Sequence, residues 1–258
     1  MNEARAKAEG LFGRVPAAGC WLDLPSPEAA EIAARAGVDF GVVDCEHGPA
    51  TVETAGRMLS ALRAGGAAAI ARPPERSEAW IKRLLDSGAD GLILPMVETP
   101  KLAAEAAALT RYPPEGRRGL AHSVIRAAGW GADAEAYRAG WNARAFLAVQ
   151  IESPAALEAA GAIAAVDGVD LLFFGPSDFS SFAGFPDGPA DPRAFAAFER
   201  LAAAAHGAGK LAGSVAFPAG SGAALRAAGC DMISSGSDVS ALRRGLAAAM
   251  AQTLEAGP

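Results

Sequence analysis

The chain carries FLAVQIESP at Phe146–Pro154 and LLFFGPSDF at Leu171–Phe179, two apolar runs that turn polar only at their C-terminal ends. Short runs of Phe, Val, Leu and Ile bounded by turn residues fit buried strands of the kind found in parallel sheets. The first run delivers Gln150 and Glu152, and the second delivers Asp178. In folds built of parallel strands the C-terminal strand ends converge on one face, so carboxylates emerging there from successive strands are placed to share a divalent cation.

The same rhythm extends in both directions. Upstream, Arg14–Trp21, Val38–Asp44, Ala67–Ala71 and Gly91–Val97 read as strands; downstream, Leu211–Phe217 and Cys230–Ser235 do. Helices fall between them. Ser26-Pro27 is a capped start with proline at the first helical position, Ser77 and Ser237 are further caps, and alanine-rich stretches at Pro154–Ala165 and Pro192–His206 continue the pattern. AGVDF at 36–40, SGADG at 87–91 and AGCDM at 228–232 each place a glycine between a helix end and a buried strand. Between Tyr112 and Ala145 the rhythm breaks: YPPEGRRG opens with turn residues, and the rest is too polar and glycine-spaced for a core helix, as expected of a functional or interface insertion.

Eight strands alternating with helices, without hairpin turns, predict a (β/α)8 TIM barrel over residues 1–258 as a single domain. A doubly wound open sheet is the rival, but G-x-G-x-x-G after the first strand and a P-loop are both missing.

Composition narrows the function. A net charge of −6 argues against general nucleic-acid affinity, which requires a basic face. No apolar run approaches the roughly 20 residues that span a bilayer, and the charged first fifteen residues lack a secretory signal, so a soluble cytoplasmic protein without membrane contacts is expected. Cys20, Cys45 and Cys230 form no C-x-x-C pair and read as reduced, at least two of them on strands. The only lysines are Lys7, Lys82, Lys101 and Lys210, none at a C-terminal strand end, which excludes Schiff-base chemistry there.

The polar residues expected at the strand ends are Trp21 and Asp23, then Asp44, Glu46 and His47, then Arg72, Gln150 and Glu152, and Asp178. Glu152 and Asp178 are the candidate metal pair; a helix cap and a turn aspartate are their plainer readings. His47 lies in a loop, unlike His206 in its alanine run, and imidazole is the side chain that titrates near neutral pH, so it is the candidate general base. Arg72, locked by Pro73-Pro74 after an apolar strand, suits an anion or a developing oxyanion; a structural salt bridge is the alternative.

These residues carry a resemblance. GCWLDLPSPEAAEIAARAGVDFGVVDCEHGP, LLDSGADGLILPMVET, RYPPEGRRG, AVQIES, VDGVDLLFFGPSD and SSGSD make the chain similar to the HpcH/HpaI aldolase family of class II pyruvate aldolases. The resemblance implies reversible, metal-dependent cleavage of a 4-hydroxy-2-oxo acid into pyruvate, or a related 2-oxo acid, and an aldehyde. It implies Mg²⁺ or Mn²⁺, with Co²⁺ also admissible, on Glu152 and Asp178, and Arg72 stabilising the enolate. His47 would be a base working through a water on the metal, oriented by Asp86, with Asp44 a supporting acid of the same loop. Trp21, Arg72, Gln150 and backbone amides near Gly175 and Ser177 would bind substrate. It also implies a homo-hexamer, a trimer of dimers exchanging their C-terminal helices; Leu242, Leu246, Met250 and Leu254 supply an apolar stripe compatible with that. One departure stands out: FSSFAGFP places Phe179, Phe182 and Phe185 after Asp178, which would make the aldehyde pocket smaller or more apolar if the rings reach the mouth. Arg117, Arg118 and Arg126 are the arginines available for a distal carboxylate. A citryl-CoA or malyl-CoA lyase-like enzyme and a catalytically silent scaffold barrel are the alternatives.

Overall fold

Apolar side chains recur at every second position of the strands, and the two faces they define pack against different things. In the computed structural model, which describes residues 2–218 and 220–255, eight parallel strands close into a (β/α)8 TIM barrel in sequence order. They are β1 (Ala17–Leu22), β2 (Phe40–Asp44), β3 (Ala68–Arg72), β4 (Gly91–Leu94), β5 (Phe146–Ile151), β6 (Leu171–Phe174), β7 (Leu211–Val215) and β8 (Met232–Ser237). Phe146 and Ala148 of β5 join Phe40, Val42, Ile70, Ile93, Leu171 and Phe173 in the cluster that fills the barrel. Their neighbours Leu147, Val149 and Ile151 join the cluster beneath the helices. Because this period is two, Trp21, Asp44, Arg72 and Gln150 have the parity of the interior residues of their own strands.

The covering helices start where their caps dictate. Ser26, Thr51, Ser77, Thr99 and Ser153 each accept a backbone N–H at the start of α2 (Pro27–Arg35), α3 (Val52–Ala64), α4 (Glu78–Asp86), α5 (Pro100–Thr110) and α7 (Pro154–Glu158), with proline in the first turn of three of them. The expected helix at 154–165 is two short ones, α7 and α8 (Ala160–Ala164), separated at Ala159. α9 (Pro176–Phe182), α10 (Pro192–Gly207), α11 (Gly222–Ala227) and α12 (Asp238–Glu255) complete the ring.

Several expectations need correction. The N-terminus, read as merely polar, is helix α1 (Glu3–Phe12), capped by Asn2. Ala4, Ala8 and Phe12, spaced by four, enter the barrel cluster, with Phe12 5.6 Å from Phe40 and 5.3 Å from Phe146 between ring centroids. Those phenylalanines begin β2 and β5, so α1 closes the floor opposite the strand C-termini. Lys7 of the same helix is paired with the buried Asp170 at 2.7 Å.

Residues 112–145 are also better packed than their composition suggests. They hold a 3-10 segment (Arg126–Gly131) and α6 (Ala134–Arg144), whose Tyr137 and Trp141 are buried. Arg118 is enclosed there, 4.7 Å from the Tyr112 ring centroid and 4.5 Å from that of Trp141, and donates to Asp86 at 2.7 Å. Cation–π contact with aromatic faces is what lets a charged residue reside in such a segment. Only Cys20 lies within a strand; Cys45 follows β2 and Cys230 precedes β8, and all three are free. His206 is exposed and hydrogen-bonded to Asp231 at 2.8 Å.

Candidate active site

At the C-terminal end of the barrel a cavity of about 600 Å³ opens over the strand ends. Trp21, Asp44, His47, Arg72, Gln150, Glu152, Gly175, Ser177 and Asp178 all line it. Asp86 does not: it ends α4, accepts from Arg118, and lines a separate cavity with Arg83 and Arg126.

The charged centre is built by β2 and β3, whose last residues, Asp44 and Arg72, are register partners. Arg72 donates to both Asp44 oxygens, from Nε at 2.8 Å and Nη2 at 2.7 Å, and its Nη1 meets Glu46 at 2.9 Å. Its guanidinium lies 4.3 Å from the Trp21 ring centroid, and Trp21 in turn packs edge-on against Phe173. Of five guanidinium N–H groups, two are hydrogen-bonded to Asp44, and the Nη1 side is paired with the Glu46 charge. Asp44 also accepts the backbone N–H groups of Glu46 at 3.0 Å and His47 at 3.3 Å, which sets the path of the loop carrying His47. Burial alone would raise the Asp44 carboxyl, but the Arg72 guanidinium and these amides hold it below its ordinary range. Burial likewise works against the Arg72 charge, and Asp44 and Glu46 outweigh it.

Glu152 has the opposite balance. It is buried, accepting from Gln150 Nε2 at 2.7 Å and from the Met96 backbone N–H at 3.0 Å. That amide is aimed by an uncommon conformation: Met96 has φ 52°, and Arg76 Nη1 clamps the carbonyls of Pro95 and Met96 at 2.9 and 2.7 Å. A non-glycine residue held in the left-handed region points to a constraint imposed by the surroundings. Burial pushes the Glu152 carboxyl up to about 7; Met96 opposes this, while Asp178 and Glu46 add to it. Gly175 must be glycine because a Cβ would fall 2.7 Å from the Glu152 carboxylate. The Gly175 N–H itself donates to the Ile151 carbonyl at 3.3 Å, so the open amides at the start of α9 begin with Ser177.

A divalent cation fits this donor set. Among the described residues no group of three or more His, Cys, Asp and Glu is arranged to hold a metal. Glu152 and Asp178 would therefore be the two ionic donors, leaving other positions to water and substrate, as a Mg²⁺-like ion prefers. A carboxylate buried beside two further acids is also the group that a cation relieves. Gln150 Oε1 is buried without a hydrogen-bond partner, a free acceptor in the wall of the same cavity.

The matched family model, HpcH/HpaI aldolase/citrate lyase, covers residues 17–245. The chain belongs to this family. It is 42% identical over 227 residues to a hydroxypyruvate/pyruvate aldolase of Chromohalobacter salexigens, covering 88% of this chain and 89% of that one. It is 41% identical over 208 residues to a 2-keto-3-deoxy-L-rhamnonate aldolase of Salmonella typhi, covering 81% and 78%. The crystal structure of an HpcH/HpaI aldolase/citrate lyase family protein from Burkholderia cenocepacia superposes with a TM-score of 0.88 at 36% identity, covering 98% of this chain and 99% of that one. The protein is a carbon–carbon lyase of the aldolase type.

Other parts of the site were not anticipated from sequence. Phe173, Val215, Gly236, Ser237 and Ser240 line the cavity as well, and the Met96 amide reaches Glu152 from β4. The SSGSD motif was the available signal for Ser237, but β8 was expected to stop at Ser235. The phenylalanines after Asp178 do not reach the mouth: Phe179 is buried 5.0 Å from Phe174, Phe185 packs on Phe179, and Phe182 is exposed. Arg118 and Arg126 point into other surroundings, and neither they nor Arg117 line the cavity.

Proposed function

We propose that the protein is a class II aldolase that cleaves 4-hydroxy-2-oxo acids into pyruvate, or a related 2-oxo acid, and an aldehyde, and that runs the addition in reverse. The observation that carries this reading is the meeting of Arg72, Glu152 and Asp178 in one cavity with no lysine in its lining. Breaking the C3–C4 bond moves electrons onto the keto oxygen, and without an amine to form a Schiff base that charge must be met electrostatically. A divalent ion held by Glu152 and Asp178 would polarise the 2-oxo acid as a Lewis acid.

The chain's own groups would do the rest. The N–H groups of Arg72 that are not bonded to Asp44 face the developing oxyanion, and Asp44 and Glu46 hold the guanidinium in place. His47, exposed at the cavity rim, takes the proton of the C4 hydroxyl during cleavage and returns one to C3. The Ser177 amide receives the substrate carboxylate. Asp86 lies outside this cavity in its own barrel, so its proposed influence on His47 would be exerted indirectly or on a second copy. Pyruvate release from a panel of 4-hydroxy-2-oxo acids, with Mg²⁺, with Mn²⁺ and after EDTA treatment, tests the proposal. Full turnover after EDTA, or its retention in Asp178→Ala, would refute it.

The same reading includes a homo-hexamer with exchanged C-terminal helices. α12 touches the barrel at its start, against β1 and β8, and its residues from Ala241 to Leu254 are exposed. Leu242, Leu246, Met250 and Leu254 remain 53%, 59%, 57% and 76% exposed, a stripe that water alone does not stabilise. Beside its root an apolar groove of about 500 Å³ is lined by Leu24, Ala29, Ile32, Ala33, Val38 and Leu242. A second copy's α12 matches that groove in chemistry and, at about 27 Å for 18 residues, in reach. No helix of the described residues is long and apolar enough to cross a membrane.

A further inference from the structure

The proposed chemistry uses the wall built by β2, β3, β5 and β6 and leaves the opposite wall unassigned. That wall comes from the β1 end, the end of β7 and the β8–α12 junction: Asp23, Val215, Gly236, Ser237 and Ser240. We infer that it is the acceptor subsite and that it selects neutral, hydroxylated aldehydes over aldehydes bearing a carboxylate. The inference rests on the aldolase reading above and deepens it.

Charge decides the argument. Among the described residues Arg72 is the only Lys or Arg in the cavity lining, and its charge is already matched by two contacts to Asp44 and one to Glu46. The arginines that might have received a distal carboxylate lie elsewhere. An anionic tail entering along the β1–β8 wall therefore meets the Asp23 carboxylate, and the cation near it, Arg72, is already held by Asp44 and Glu46, a juxtaposition that costs affinity. A hydroxyl entering the same way finds an acceptor in the Asp23 carboxylate, which the Ser237 hydroxyl steadies, and a site built to hydrogen-bond a hydroxyl discriminates strongly against groups that cannot reciprocate.

The wall is also held in place. Asp238, the first residue of α12, accepts the backbone N–H groups of Asp23 at 2.9 Å and Leu24 at 3.2 Å, tying the β1 end to the β8 end. Ser240 is consumed by the turn, receiving the Ser237 N–H at 3.1 Å and donating to the Ser237 carbonyl at 2.8 Å. The Ser237 hydroxyl accepts the Ser240 N–H at 3.3 Å and bonds to Asp23, which leaves the Asp23 carboxylate as the group that meets an incoming aldehyde. Burial raises the Asp23 carboxyl and Asp44 and Asp238 raise it further, while the hydrogen bond from the Ser237 hydroxyl and, more weakly, the Arg72 charge lower it.

The test measures kcat/KM for addition of pyruvate, with Mg²⁺, to glycolaldehyde and D-glyceraldehyde on one side and to glyoxylate and succinate semialdehyde on the other. Comparing the ratio of anionic to hydroxylated acceptor between wild type and Asp23→Asn cancels the intrinsic reactivity of each aldehyde. Removing the charge at constant size is expected to move the ratio toward the anionic acceptors by about tenfold or more. Ser237→Ala, which removes the hydroxyl that steadies the Asp23 carboxylate, is expected to lower kcat/KM for the hydroxylated acceptors selectively. Asp23→Ser serves in place of Asp23→Asn if that variant does not fold, with the same direction expected. A ratio within about twofold of wild type overturns the inference. Wild-type exchange of the pyruvate C3 protons, measured without any aldehyde, separates the failures. Exchange with an unmoved ratio overturns the acceptor assignment alone; no exchange and no addition to any acceptor overturns both readings.

Discussion

Replacing Glu152 by Gln should change how stability depends on pH in a way that neither a core residue nor an exposed acid would. Burial and the neighbouring acids raise this carboxyl from 4.5 to about 7 in the folded chain. A carboxyl raised on folding contributes its stability fully below the unfolded value, and that stability is lost as pH rises through the folded value. At 1.36 kcal/mol per pH unit the total is roughly 3 kcal/mol, of which roughly 2 kcal/mol is lost between pH 5.5 and pH 8. Glutamine cannot titrate. Its amide satisfies only one of the two donors, Gln150 Nε2 and the Met96 N–H, that now point at the carboxylate, but that cost is independent of pH and cancels in the slope. Metal-free wild type and Glu152→Gln, melted side by side in EDTA, should therefore diverge with increasing pH. The variant gains roughly 2 kcal/mol on wild type between pH 5.5 and 8, or about 4–8 °C in Tm. Adding Mg²⁺ or Mn²⁺ should raise the wild-type Tm more at pH 8 than at pH 5.5, because the ion must displace the proton, and should do little for the variant. Parallel pH profiles for the two metal-free proteins would refute the account of Glu152.

Arg72→Lys should lower kcat by about 100-fold or more with a much smaller change in KM, since lysine keeps a charge but not the planar fork that meets Asp44, Glu46 and an oxyanion together; a pure KM effect in steady-state kinetics would contradict the role. His47→Ala should slow pyruvate C3 proton exchange by about 100-fold or more, followed by NMR in D₂O. Asp86→Asn, which also deprives Arg118 of its carboxylate, should slow it by a smaller factor; exchange at the wild-type rate in His47→Ala would place the base elsewhere. Leu246→Asp combined with Met250→Asp should abolish assembly by charging the exposed stripe of α12, giving monomers in sedimentation velocity at micromolar concentration; an unchanged oligomer would remove α12 from the interface.

The barrel was legible in the sequence because burial inside parallel strands leaves a local trace. Phe146–Val149 and Leu171–Phe174 are apolar throughout and β-rich, the caps at Ser26, Ser77 and Ser153 are side chains hydrogen-bonding residues three positions on, and glycine marks the helix-to-strand junctions. Nine of the ten candidate site residues meet in one cavity for a related reason: each lies at the C-terminal end of a strand or in the loop just after it, where the strands converge. What the sequence could not determine was everything requiring contact between distant segments. α1 is weakly amphipathic, and only the open floor of the barrel makes Ala4, Ala8 and Phe12 interior residues. Arg118 and Asp86 looked like candidates for the mouth, yet they pair with each other outside it. The Met96 amide and Ser237 belong to the site only because parallel pairing brings β4 beside β5 and the closure of the ring brings β8 beside β1. Periodicity is a property of neighbours along the chain; which charges share a cavity, and which are already paired, is set by the closure of the ring.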